Sequence, residues 1–263
     1  MEIKQKTHIY LYVSAVLIFG LGYMVATLVL STTVSEPLMQ EVVVPAEVIE
    51  VNQEPVAPED YEPVVFTHAS VIELPAPVLL SEYSVEAALQ NRRSFHEYEE
   101  TDITIDELGQ MLWSAQGITD ERGGRTAPSA RRVYPSRVFV VVHRVDGLEP
   151  GLYEYLPEGH RLGFMRAGEF RSEYEAMTAQ TQPLTAAAVV LQTANMSDES
   201  FRKLALQESG HIGQNMYVQA ESLGLGMTVM GGFDAEVAGG FLGTDSFEEV
   251  VYMIPFGNRP SEQ

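Results

Sequence analysis

Arg92, Arg93 and Ser94 place two guanidinium groups and a hydroxyl within three residues. Fixed cations and hydrogen-bond donors of this kind are what an oxyanion such as phosphate needs when it leaves bulk water. The same residues also suit a solvated helix C-terminus, where arginine complements the dipole. Gly231 and Gly232 follow an apolar run and precede Phe233-Asp234. Glycines there permit close backbone approach to a ligand, or a plain β-turn. His211 and Tyr134 are the candidate proton-exchanging groups, since an ordinary histidine titrates near neutral pH. A histidine next to Gly210 on a long helix reads first as a packing or interface residue. His68, His96, His143 and His160 are dispersed and give no metal-ligand spacing. No phosphate-cradling Walker loop and no Gly-x-Gly-x-x-Gly after a first strand occur.

These residues need a scaffold, and composition bounds it. The 263 residues carry 37 acidic against 16 basic side chains, a net charge of −21. That charge opposes nucleic acid and anionic lipid as partners. There is no cysteine, which excludes disulfides and thiol chemistry. Ile9 to Leu30 is a run of 22 uncharged residues. As a helix it is about 33 Å long, enough to cross a bilayer. It reads as an uncleaved anchor rather than a signal peptide, because it is long and no Ala-x-Ala site follows. Lys4 and Lys6 precede it and the next basic residue is Arg92. Residues 1–8 are therefore expected in the cytoplasm and the rest outside.

Ser31 to Pro77 is rich in proline and glutamate and reads as a tether. Its islands Val42-Val43-Val44 and Val64-Val65-Phe66 are either disordered or edge strands. Residues 78–263 form the domain. Helices are expected at Val85–Asn91, from the capping box Thr104-x-x-Glu107 through Ser114, and at Glu199–Leu223. Ile212, Met216, Ala220 and Leu223 give the last an apolar stripe. Strands are expected at Val138–Val142, Ala186–Gln192, Met227–Met230 and Val250–Ile254.

Three segments, taken in order, carry a resemblance. They are Arg92-Arg93-Ser94, then Thr126-Ala127-Pro128-Ser129-Ala130 with Tyr134-Pro135, then Glu208-Ser209-Gly210-His211-Ile212-Gly213-Gln214-Asn215 leading to Gly231-Gly232-Phe233. Together they resemble the nitroreductase-like flavoprotein superfamily, in its SagB-type branch of peptide thiazoline/oxazoline oxidases. The resemblance implies an α+β fold, a mixed sheet flanked by helices, and a homodimer with FMN at its interface. It implies that Arg92, Arg93, Ser94 and a returning Arg259 hold the FMN phosphate. Pro128 and Ser129 would reach the partner's flavin, and backbone N–H groups of Gly231-Gly232 would face the ring near N5. The implied activity is hydride transfer through flavin N5 to or from a small molecule or peptide. The alternative is a non-catalytic scaffold. Two departures stand out: His96 replaces a basic residue of the family, and Arg131-Arg132 replace small residues.

Overall fold

The computed structural model describes residues 64–197 and 199–261. The expected anchor at Ile9–Leu30 and the tether up to residue 63 lie outside them. Among the described residues no helix is long and apolar enough to cross a membrane.

A central sheet is built on β2 (Ser136–Val142) and β5 (Ala188–Asn195). Their β-branched and apolar residues are buried on both faces, which a strand between two helical layers requires. Side chains alternate across a strand. Val138, Val140 and Val142 pack on one side with α2 (Ile105–Gln116) and α5 (Glu199–Leu223). Phe139 and Val141 pack on the other with α3 (Arg171–Met177) and α6 (Ala235–Leu242). The remaining elements are β1 (Ser70–Glu73), α1 (Val85–Asn91), β3 (Gly151–Leu156), β4 (Arg161–Ala167), α4 (Gln182–Thr185), β6 (Leu225–Met227) and β7 (Glu248–Asn258). The sheet order is β1-β4-β3-β2-β5-β7-β6.

Local chemistry explains the helix starts. Ser84 caps α1 by accepting from the Ala87 N–H at 3.1 Å. At α2 the capping box is complete: the Thr104 N–H donates to Glu107 at 2.7 Å and Thr104 Oγ1 accepts the Glu107 N–H at 3.2 Å. In α5, Ile212, Met216 and Ala220 are buried as the stripe predicts.

The structure corrects three expectations. The sheet is not mixed: every pair of named strands is antiparallel. The long α5 does cross between two co-directional strands, β5 and β6, but β7 inserts between them and pairs with both. The strand expected at Met227–Met230 ends at Met227, and Met230 makes a separate bridge to Met253. The Pro-rich tether does not run to Pro77 unpaired. Its residues Ser70–Glu73 form β1, the edge strand of the sheet beside β4, and Leu74 is buried in the core.

Candidate functional site

Arg92 is the C-cap of α1, its N–H donating to the Ala88 carbonyl. Its guanidinium lies 5.1 Å from the centre of the Tyr217 ring on α5. Ser94 Oγ is 2.8 Å from the Tyr217 hydroxyl, which also accepts the Val229 N–H at 3.0 Å. Arg93 is exposed and turns one nitrogen to the Gln90 and Arg92 carbonyls. His96 Nδ1 accepts from Gln182 Nε2 at 2.8 Å.

From Val229 the chain runs through Met230, locked by paired bonds to Met253, into Gly231 and Gly232. The Gly232 carbonyl accepts from Gln180 Nε2 at 2.9 Å and from Thr178 Oγ1 at 3.1 Å. Asp234 then caps α6. The glycine pair is thus held at both ends. Gly231 is exposed, and a Cβ built on it would meet nothing within 4 Å. Arg92, Ser94 and His96 therefore share one rim with Gln180, Gln182 and the glycine pair.

Arg259 lies beside this rim, 4.8 Å from the Phe95 ring centre. Its charge is already matched by Glu221 at 2.8 Å, and its Nε donates to the Leu225 carbonyl. The structure places it near the predicted phosphate contacts but commits it to a buried carboxylate.

Pro128 and Ser129 sit elsewhere. The Pro128 carbonyl accepts from His211 Nδ1 at 3.0 Å, midway along α5. His211 and Tyr217 are six residues apart, so their attachments are separated by about 9 Å along α5 and roughly 120° around it. One chain does not bring Ser129 onto Ser94. Ser129 Oγ accepts the Tyr134 N–H at 2.9 Å. The Tyr134 hydroxyl accepts the Arg125 N–H, and the Arg125 guanidinium stacks 4.6 Å from its ring centre. Neither proton-exchange candidate is unengaged: Tyr134 and His211 both fasten this loop.

The same loop holds Arg131, Arg132 and Tyr134 at φ of 55°, 60° and 49°. Each left-handed residue other than glycine costs about 1–2 kcal/mol. Asp120 offsets part of this strain. It accepts the Arg122 and Gly124 N–H groups and lies 3.9 Å from Arg132. The Gly124 N–H bond, foremost, with the Arg122 charge, keeps its carboxyl below the usual range. Asn215 adds bonds to the Ser114 and Thr126 carbonyls.

Reading by sequence missed Tyr217, Gln180 and Gln182. Their partners Ser94, Gly232 and His96 lie 52 to 123 positions away, so no local spacing marks them. A groove of about 450 Å³ runs between Val78–Ser84, Trp113 and Leu223, and none of the predicted site residues lines it.

The sequence profile of the nitroreductase family matches residues 89–258. A protein described as a nitroreductase from Methanocaldococcus jannaschii is 36% identical over 162 residues, 59% of this chain and 81% of that one. A crystal structure described as a nitroreductase from Ralstonia eutropha is 27% identical, with a TM-score of 0.63, over 77% of this chain and 99% of that one. The E. coli microcin synthetase McbBCD complex, with truncated pro-MccB17 bound, shares the fold: TM-score 0.56 and 17% identity, over 77% of this chain and 80% of that one.

Proposed function

The chain belongs to the nitroreductase family, and on that premise we propose that it is a membrane-anchored, FMN-dependent oxidoreductase acting on a small molecule or peptide. The observation that carries the reading is the donor set on the rim. Arg92 and Ser94 are organised on one tyrosine, with Arg93 exposed beside them. Two fixed cations and a hydroxyl match a phosphate dianion. The open space over Gly231 fits the approach of a flat ring. When bound, the flavin supplies the redox chemistry, taking or giving hydride at N5.

The chain's own residues do the rest. Arg92, Arg93 and Ser94 hold the phosphate end. The Gly231-Gly232 backbone, fixed by Gln180, Thr178 and the Asp234 cap, presents polar groups to the ring without a side chain in the way. His96 offers a Gln182-bonded imidazole where the family resemblance implies a basic residue. Pro128 and Ser129 are too far round α5 to serve their own chain's rim. This supports a homodimer in which they serve the partner's flavin. The SagB-type assignment rests on the sequence segments, with the microcin synthetase as a fold precedent among complexes holding a peptide.

Titration of the flavin-free protein with FMN, followed by flavin fluorescence, tests the reading. Arg92→Ala removes a charge-assisted contact worth about 1.5–3 kcal/mol, a loss of roughly ten- to a hundredfold in affinity. Equal affinity in both proteins removes Arg92 from the site. One observation favours the scaffold alternative: Arg259 is matched by Glu221 instead of remaining available. A wild-type protein that takes up no FMN selects that alternative.

A further inference from the structure

We propose that Tyr217 is a positioning residue that sets the direction of hydrogen bonding at the phosphate end of the site, so that Ser94 presents its proton to the ligand. The inference rests on the FMN reading above and concerns a residue that does not itself touch the phosphate.

Proton counting sets the direction of these bonds. A backbone N–H can only donate, so at 3.0 Å from the Val229 nitrogen the Tyr217 oxygen must accept. The tyrosine's single proton remains to be placed. Ser94 Oγ, at 2.8 Å, is the side-chain partner it reaches. The arrangement that gives the tyrosine proton a partner has Tyr217 donating and Ser94 accepting. Ser94 has one proton of its own, and its tyrosine contact is already used as an acceptor bond. That proton is directed away from Tyr217, on an exposed side chain.

The chain Val229 N–H to Tyr217 O–H to Ser94 O–H thus runs in one direction and ends on a donor. Such an end serves a ligand that only accepts, as a phosphate dianion does, and is of no use to a cation. Hydrogen bonds in series polarise one another, which strengthens the terminal donor. The Tyr217 ring simultaneously supports the Arg92 guanidinium at 5.1 Å. One side chain on α5 therefore sets both the hydroxyl and the charge. The anchor of the relay is the N–H of Val229, two residues before Gly231, so the phosphate end and the glycine end share a reference point.

The test compares FMN with riboflavin, which lacks the phosphate, on the full chain in detergent. Tyr217→Phe keeps the ring under Arg92 and deletes only the hydroxyl. The expected result is a roughly tenfold weaker FMN affinity with riboflavin affinity unchanged. In a Ser94→Ala background the same change should add no further loss, because the relay already lacks its terminal donor. Equal weakening of both flavins, or a full additional loss in the Ser94→Ala background, overturns the inference, since either would mark Tyr217 as a packing residue. Wild-type protein that binds FMN no better than riboflavin fails at an earlier point: it removes the phosphate cradle, and this inference with it.

Discussion

His143, immediately after β2, should make the domain acid-labile. Its side chain is fully buried, with Nε2 2.9 Å from the Tyr174 hydroxyl. Burial, foremost, and the charges of Arg171 and Arg144 push its pKa down to about 3. Glu169, 3.6 Å from Nδ1, would favour protonation, but it is largely solvated and does not offset the burial. The sign follows directly. The folded ring stays neutral while the unfolded ring takes up a proton near pH 6.5, so stability is present above that pH and lost below it. Between pH 7 and pH 5 the loss is roughly 2 kcal/mol at 1.36 kcal/mol per pH unit. The clean comparison is with His143→Phe, which keeps a buried ring and cannot titrate. Losing the Tyr174 bond gives that variant a fixed deficit at every pH. Urea unfolding at pH 7, 6 and 5, followed by the fluorescence of the single tryptophan, Trp113, reports both. The gap between wild type and variant should close by roughly 2 kcal/mol as pH falls to 5. A gap that stays constant refutes the reasoning, because it means His143 binds its proton equally in the folded and unfolded chains.

Two other outcomes are expected, one at a buried ion pair and one at the N-terminal apolar run. Arg137 on β2 bridges Glu154 at 2.7 Å and Glu248 at 3.3 Å, both nearly buried. Arg137→Met should cost about 3–5 kcal/mol at pH 7, with part regained on acidification, since burial already raises the Glu248 pKa; an unchanged urea midpoint would refute it. From the apolar run at Ile9–Leu30, the full chain should stay with membranes through a high-salt wash. Protease outside the inner membrane should then release the domain, and protection until lysis would reverse the orientation.

Elements whose rules are local were legible in the sequence. Ser84 and Thr104 mark helix starts because capping acts over three residues, and α5's stripe needs only its own period. β2 shows as a run of valines because both its faces are covered. The β3–β4 hairpin escaped. Tyr153, Glu154 and Tyr155 mix aromatic and charged residues, and Glu154 is tolerated inside only because Arg137 on β2 and His68, just ahead of β1, meet it. β1 escaped because its partner lies about ninety residues on, behind a proline-rich stretch. At the site the residue types Arg92, Ser94 and Gly231 were visible, while Tyr217, which organises two of them, was not. The left-handed Arg131 and Arg132 left no mark either, since arginine carries no preference for that conformation.

The insertion of β7 between β5 and β6 has a consequence for the order of events in synthesis. β6 pairs with β7 and with no other strand of the sheet, and among the described residues β7 comes after every other strand in chain order. Until those residues leave the ribosome, the strands on either side of the gap have no shared neighbour. The backbone leading to Val229 and Gly231 then lacks the paired Met253 bonds that lock Met230. A nascent chain therefore carries an open sheet until Glu248–Asn258 has emerged and paired with both β5 and β6.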